Sequence, residues 1–150
     1  MGLHKRGSPK GSVMMKILTD FSKCTECRIC ELACSFKTFA GFNPRYACLT
    51  VRLSKDGLVA EPMVCIHCQN PACMKVCPVS AITRDEATGA VVIDENQCTG
   101  CQKCIESCYY GAVRFHSEKK KAFKCNLCYG QPECVRYCPT GALQVTEVQK

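Results

Sequence analysis

The chain has 150 residues, a formal net charge of +7 and 17 cysteines. That length allows one domain or two very small ones, and no stretch approaches membrane-spanning length. The odd cysteine count and the lack of an apolar signal segment argue against a secreted disulfide scaffold, and a reducing, cytoplasmic setting is expected.

Residues 1–15 are polar and basic, with Gly, Ser and Pro, and read as a flexible extension; Met14 or Met15 could be the natural start. An ordered domain is expected over residues 16–150. Loose chain is expected through Lys16, and Ile17 to Phe21 then reads as a short strand leading into a first cysteine run, Cys24, Cys27, Cys30 and Cys34. Ile29 to Phe39 reads as a helix ending near Gly41. Alternation over Ala47 to Leu53, the turn Lys55-Asp56-Gly57 and a return strand Leu58 to Val64 predict an additional hairpin near 47–64. The second run is Cys65, Cys68, Cys73 and Cys77. Asn70 is expected to cap its helix, with Pro71 at the first position and Pro78 as the stop. Ala81 to Arg84 and Ala90 to Ile93 flank the turn at Glu86 to Gly89. The third run is Cys98, Cys101, Cys104 and Cys108, with Gly111 expected to end its helix. Val113 to Phe115 and Lys121 to Lys124 flank a lysine turn. The fourth run is Cys125, Cys128, Cys134 and Cys138, and Gln131-Pro132-Glu133-Cys134 parallels Asn70-Pro71-Ala72-Cys73. Leu143 to Val148 reads as a final strand. The whole is a fourfold repeat of loop, short helix and strand, an α+β pattern suggesting duplication of a two-cluster unit.

The first and third runs read C-x2-C-x2-C-x3-C, the spacing of bacterial-type [4Fe–4S] sites. The short steps let one tight loop aim three sulfurs inward. The x3 step starts a helix, so the fourth sulfur faces away and normally serves a neighbouring cluster. The second and fourth runs are variants with a longer middle step and a Pro after the last cysteine. Together the runs use sixteen of the 17 cysteines, which implies four [4Fe–4S] clusters and an electron wire. Zinc is the competing metal, but zinc sites use separated cysteine pairs and have no need of three at successive short steps. The clusters would supply cohesion that so thin an apolar core lacks. Sixteen thiolates on four oxidised cubanes bring the charge of +7 close to zero, so the basic balance is not a nucleic-acid signal. No phosphate loop, nucleotide fingerprint or Ser-His-Asp pattern is visible, so the chain is not expected to be an enzyme by itself.

Cys48 falls outside the four runs and reads as a buried, inert thiol. His67 stands between two cysteines, where it could donate a hydrogen bond to a cluster or replace a ligand; the complete cysteine set argues against ligation. His4 and His116 read as surface residues, and Lys119-Lys120-Lys121 as a solvated turn. Tyr109, Tyr110, Phe115, Phe123, Tyr129 and Tyr137 read as packing that keeps water from the sulfurs.

From about Lys16 to Val148 this pattern resembles the iron–sulfur electron-transfer subunits of molybdenum and tungsten pterin oxidoreductases. The electron carriers of carbon monoxide dehydrogenase and formate hydrogenlyase share it. The resemblance implies two ferredoxin-like modules, an inner one over about 65–117 nested within an outer one formed by 16–46 and 118–150. It also implies four ligand sets: Cys24, Cys27, Cys30 with Cys138; Cys65, Cys68, Cys73 with Cys108; Cys98, Cys101, Cys104 with Cys77; and Cys125, Cys128, Cys134 with Cys34. Glu26 departs from the pattern, since such runs often carry Gly there, as at Gly100. Ile29 to Phe36 followed by Gly41-Phe42-Asn43-Pro44 looks like the opening of small subunits that accompany tungsten or molybdenum aldehyde oxidoreductase-type enzymes. The implied partners are a catalytic pterin–metal subunit and either a flavin subunit or a soluble redox acceptor, in the cytoplasm, with no nucleic acid and no membrane span. The chain ends soon after the fourth run, so an extension leading to a membrane anchor is not expected. The alternatives are a hydrogenase or carbon monoxide dehydrogenase carrier, or a free soluble polyferredoxin.

Overall fold

A computed structural model describes residues 13–149, and it joins the two ends of that span. Strand β1 (Val13–Thr19) runs antiparallel to β8 (Leu143–Gln149), with Ile17 opposite Val145. Three further antiparallel pairs lie between them: β2 (Thr50–Leu53) with β3 (Ala60–Met63), β4 (Ile82–Arg84) with β5 (Val91–Ile93), and β6 (Val113–His116) with β7 (Lys121–Lys124). Four helices interrupt the ribbons, namely α1 (Ile29–Phe39), α2 (Ala72–Lys75), α3 (Lys103–Glu106) and α4 (Glu133–Arg136). The result is a small mixed fold of few helices and short strand pairs. A lone two-stranded ribbon is marginal in water, so each must gain its stability by packing.

The packing follows the repeat. Helix α1 lies against α4, and α2 against α3. Ile17, Ala47, Leu49, Val51, Val64, Leu127 and Leu143 form one buried group, and Ala81, Ile82, Val91, Val113 and Ala122 form another. Buried cysteines sit inside both groups, so the apolar core and the cysteine sites occupy the same space.

Several boundaries differ from the sequence reading. Strand β1 begins at Val13, so Val13 to Lys16 are ordered by pairing with Thr146 to Gln149 rather than loose; residues 1–12, with His4, lie outside the described span. Ala47 to Leu49 are buried but precede the strand, which starts at Thr50. Pro71 itself is the N-cap of α2, in an extended conformation and without a side-chain cap from Asn70. Helix α3 ends at Glu106 with Ser107 as its C-cap, and Gly111 instead forms the next turn with φ 60°.

Helix α1 continues well beyond the single turn of its three counterparts because polar groups anchor its inner face. Glu31 is almost fully buried and accepts from the Val51 backbone N–H at 2.7 Å and from the Thr50 hydroxyl at 3.3 Å. Arg28 lies 3.7 Å from the same carboxylate. Ser35, also buried, accepts from the Asn43 N–H at 3.2 Å. Ala40 then ends the helix in the left-handed region. Removing a buried acceptor leaves its donors unsatisfied, so Glu31→Ala is expected to destabilise the cluster-loaded protein by about 1–3 kcal/mol, measured as a lower denaturation midpoint with iron content unchanged before unfolding.

Candidate metal centre

The local device common to all four runs is a left-handed residue immediately before the second cysteine. Glu26 has φ 59°, His67 48°, Gly100 73° and Leu127 55°. A residue there reverses the chain tightly enough for the flanking cysteines to face a common region, at a steric cost that L-residues rarely accept. Glu26 therefore adopts the conformation expected of Gly, and its carboxylate accepts from Arg28 at 2.9 Å. Gly100 is required for another reason. A Cβ on it would lie 2.1 Å from the Lys120 carbonyl oxygen, and Lys121 clamps the same turn by donating to the Cys98 carbonyl.

Tertiary packing then brings together cysteines distant in sequence. Cys98, Cys101 and Cys104 line one cavity with Cys77. Cys125, Cys128 and Cys134 line a second with Cys34, and Cys48 joins them. Burial, with smaller contributions from Glu31, Cys27 and Cys138, pushes Cys30 up to about 12. Cys73 is raised chiefly by burial, with Cys65 and Cys108 as charged neighbours. Cys24 and Cys68 are half-buried. Among the described residues, no three His, Cys, Asp or Glu side chains converge on a single-ion point.

The donor set suits iron–sulfur chemistry. Thiolate is the ligating form, and N–H donors stabilise it. Ala81 N–H points to Cys77 Sγ at 3.3 Å, and Ala112 N–H to Cys108 Sγ at 3.4 Å, each four residues on from its cysteine. Partial burial opposes ionisation of Cys138, but the N–H groups of Leu143, Thr140 and Ala142 and the Thr140 hydroxyl outweigh it and hold Cys138 below the usual thiol value. In the first run α1 continues through the corresponding position. Its fourth cysteine is served instead by the loop, where Cys48 N–H reaches Cys34 Sγ at 3.2 Å. The Cys48 thiol is the main cause that brings Cys34 down to about 7 despite burial. Burial pushes Cys104 up to about 11, Cys125 up to about 12, and Cys134 upward as well. These thiols must shed protons to ligate, so loading iron releases protons.

Other residues depart from their sequence reading. His116 is buried, not a surface residue: it stacks on Tyr46 at 4.1 Å and lies 5.0 Å from Phe39. Tyr109, Tyr110, Tyr129 and Tyr137 are exposed rather than packed over the sulfurs, whereas Phe39, Tyr46, His116 and Phe123 form an aromatic cluster. Lys124, missed at the sequence level, is buried and donates to the Val91 carbonyl. Lysine is rarely buried without a charged partner, and Lys124 directly precedes Cys125. His67 is fully buried, and burial, with Lys124 and Arg84 nearby, holds it down to about 3.

Comparison with known proteins identifies 4Fe-4S domains in the chain. A model described as a 4Fe-4S dicluster domain matches residues 57–148, and one described as a 4Fe-4S binding domain matches residues 21–37. The chain is 36% identical to the putative electron transport protein YsaA of Escherichia coli strain K12, covering 89% of this chain and 90% of that one. It is 35% identical to the B subunit of the anaerobic dimethyl sulfoxide reductase of the same strain, covering 83% and 69%. It is 34% identical to the polyferredoxin-like subunit of the aliphatic sulfonate oxidoreductase of Pyrococcus furiosus, covering 81% and 70%. In fold it is similar to a chain of the active-site complex BamBC of benzoyl coenzyme A reductase as isolated, with TM-score 0.54, 22% identity, and coverage of 92% and 80%.

Two substitutions separate the roles of the left-handed residues. Gly100→Ala is expected to disrupt the third loop and lower bound iron by about one cluster's worth, whereas Glu26→Gly should keep the full complement. Cys48→Ala retains the backbone donor to Cys34, so it too should keep all four clusters. Iron and acid-labile sulfide analysis after anaerobic reconstitution measures each outcome.

Proposed function

We propose that this chain, which belongs to the 4Fe-4S dicluster domain family, is the non-catalytic subunit that passes electrons between a catalytic oxidoreductase subunit and an acceptor. It carries four [4Fe–4S] clusters, matching its four runs of four cysteines. When bound, each cubane supplies one-electron transfer. The observation that carries this reading is cysteine sharing. One run lends its last cysteine to a cavity lined by another, as Cys77 does for the third run and Cys34 for the fourth.

We read the ligand sets accordingly as Cys24, Cys27, Cys30, Cys138; Cys65, Cys68, Cys73, Cys108; Cys98, Cys101, Cys104, Cys77; and Cys125, Cys128, Cys134, Cys34. The pairing of α1 with α4, of α2 with α3, and of β1 with β8 supports an inner module nested within an outer one. Charged neighbours support an order for the sites. Cys30 acts electrostatically on Cys134, Cys65 on Cys125, and Cys73 on Cys104. The first-run site thus adjoins the fourth-run site, the fourth adjoins the second, and the second adjoins the third. Cys27 and Cys101 are the two exposed motif cysteines, and they belong to the two ends of this series. Electrons would enter and leave at the first-run and third-run sites.

The similarity to subunits of a dimethyl sulfoxide reductase and an aliphatic sulfonate oxidoreductase supports a partner-bound role over a free polyferredoxin. We assign the partner to the tungsten or molybdenum pterin class, with a flavin subunit or soluble carrier at the other end. That assignment rests on the resemblance of Ile29 to Pro44 to such subunits. Among the described residues no helix is long and apolar enough to cross a membrane, and loading sixteen reduced thiols suits the cytoplasm.

Native protein purified anaerobically should hold about sixteen iron and sixteen sulfide per chain, as four cubanes require. It should also copurify with a tungsten- or molybdenum-containing protein; a nickel enzyme in its place would redirect the partner assignment. Cys34→Ala should damage the site of Cys125, Cys128 and Cys134 and spare that of Cys24, Cys27 and Cys30. Spectroscopy resolving individual clusters decides this, and loss of the first-run cluster instead would refute the shared-cysteine scheme.

A further inference from the structure

His67 is two residues after Cys65 and one before Cys68, and it has no solvent exposure. Its Nδ1 accepts a hydrogen bond from the Val91 backbone N–H at 2.9 Å. A backbone N–H can only donate, so Nδ1 carries no proton and the ring's single proton sits on Nε2. Nε2 is buried and has no hydrogen-bond partner among the described residues. The ring cannot readily turn to relieve this. Lys124, itself buried, donates to the Val91 carbonyl, so the Val91 residue that holds the imidazole is fastened on both its N–H and its C=O.

The chain contains its own control for this position. Leu127 occupies the equivalent place in the fourth run, one residue before Cys128, with a left-handed backbone and no solvent exposure. In these two runs a buried side chain fills this point of the loop, and hydrocarbon supplies it in the fourth run. A nitrogen carrying an unpaired proton is an addition specific to the second run. Ligation does not account for it, because Cys65, Cys68, Cys73 and Cys108 already complete a set of four.

We propose that the Nε2–H of His67 donates a hydrogen bond to a sulfur of the cluster held at Cys65 and Cys68, and that this bond raises the reduction potential of that cluster alone. The inference rests on the four-cluster reading above. Donors to sulfur stabilise the reduced, more negative state of a cluster, and hydrogen bonding is a principal determinant of its potential. His67 is thus a tuning residue. At an interior site of the series it would distinguish the second-run cluster from its fourth-run neighbour, where the Leu127 side chain offers no donor and only its backbone N–H reaches Cys125 Sγ, at 3.4 Å.

The test compares wild-type protein, His67→Leu and His67→Gln, all with full iron and sulfide analysis and redox titration followed by electron paramagnetic resonance. His67→Leu should keep four clusters and lower one midpoint potential while leaving three in place. His67→Gln retains an N–H donor and should recover part of the shift. In wild-type protein labelled with 15N-histidine, the reduced second-run cluster should show hyperfine coupling to the label and to an exchangeable proton, and this coupling decides the matter even if a variant loads poorly. Four loaded clusters with unchanged midpoints in His67→Leu and no coupling to the label would overturn the inference, leaving a buried water as the partner of Nε2. Wild-type protein that binds no iron–sulfur would refute the four-cluster reading instead.

Discussion

Bringing four cysteine thiols around one small region is the constraint on which the rest of this structure depends. A single loop can present three sulfurs, but a helical turn holding the third cysteine separates it from the fourth, which is carried away from them. In the proposed ligand sets the fourth corner comes from another part of the chain. That requirement accounts for helices packing in pairs, for β1 meeting β8 across more than a hundred residues, and for cysteines forming part of both buried groups. Ribbons of three or four residues, too short to persist alone, are held because each flanks a cysteine loop.

The same constraint explains the backbone. Left-handed residues are costly for side chains other than Gly, yet Glu26, His67 and Leu127 all adopt this conformation where the loop needs it. Glycine is kept at position 100, where the Lys120 carbonyl leaves no space for a Cβ. Glycine in this motif therefore answers to what packs against the loop as well as to the turn itself.

Electrostatics form the second layer. Most of the core thiols resist ionisation because they are buried, and the chain opposes that resistance with backbone N–H groups aimed at sulfur. Residues four on from Cys77 and Cys108 supply them in the shorter repeats, and the Cys48 loop supplies one to Cys34, where α1 continues. The buried ammonium of Lys124 adds positive charge beside the fourth run. These are the features by which a protein sets cluster potentials, and they differ from site to site although the cysteine spacings repeat.

By itself the sequence determined the four runs, the cofactor they imply, the helix from Ile29 to Phe39 and the position of every hairpin turn. All of these depend on neighbours a few residues away, where spacing and turn chemistry act directly. Boundaries shifted where distant chain intervened: Val13 to Lys16 became strand because Thr146 to Gln149 lies beside them. Only the tertiary structure placed Cys77 beside the third run and Cys34 beside the fourth, buried His116 under Tyr46, and left Nε2 of His67 without a partner. Burial and long-range hydrogen bonds depend on which surfaces meet after folding, and no local pattern of residue types encodes that meeting.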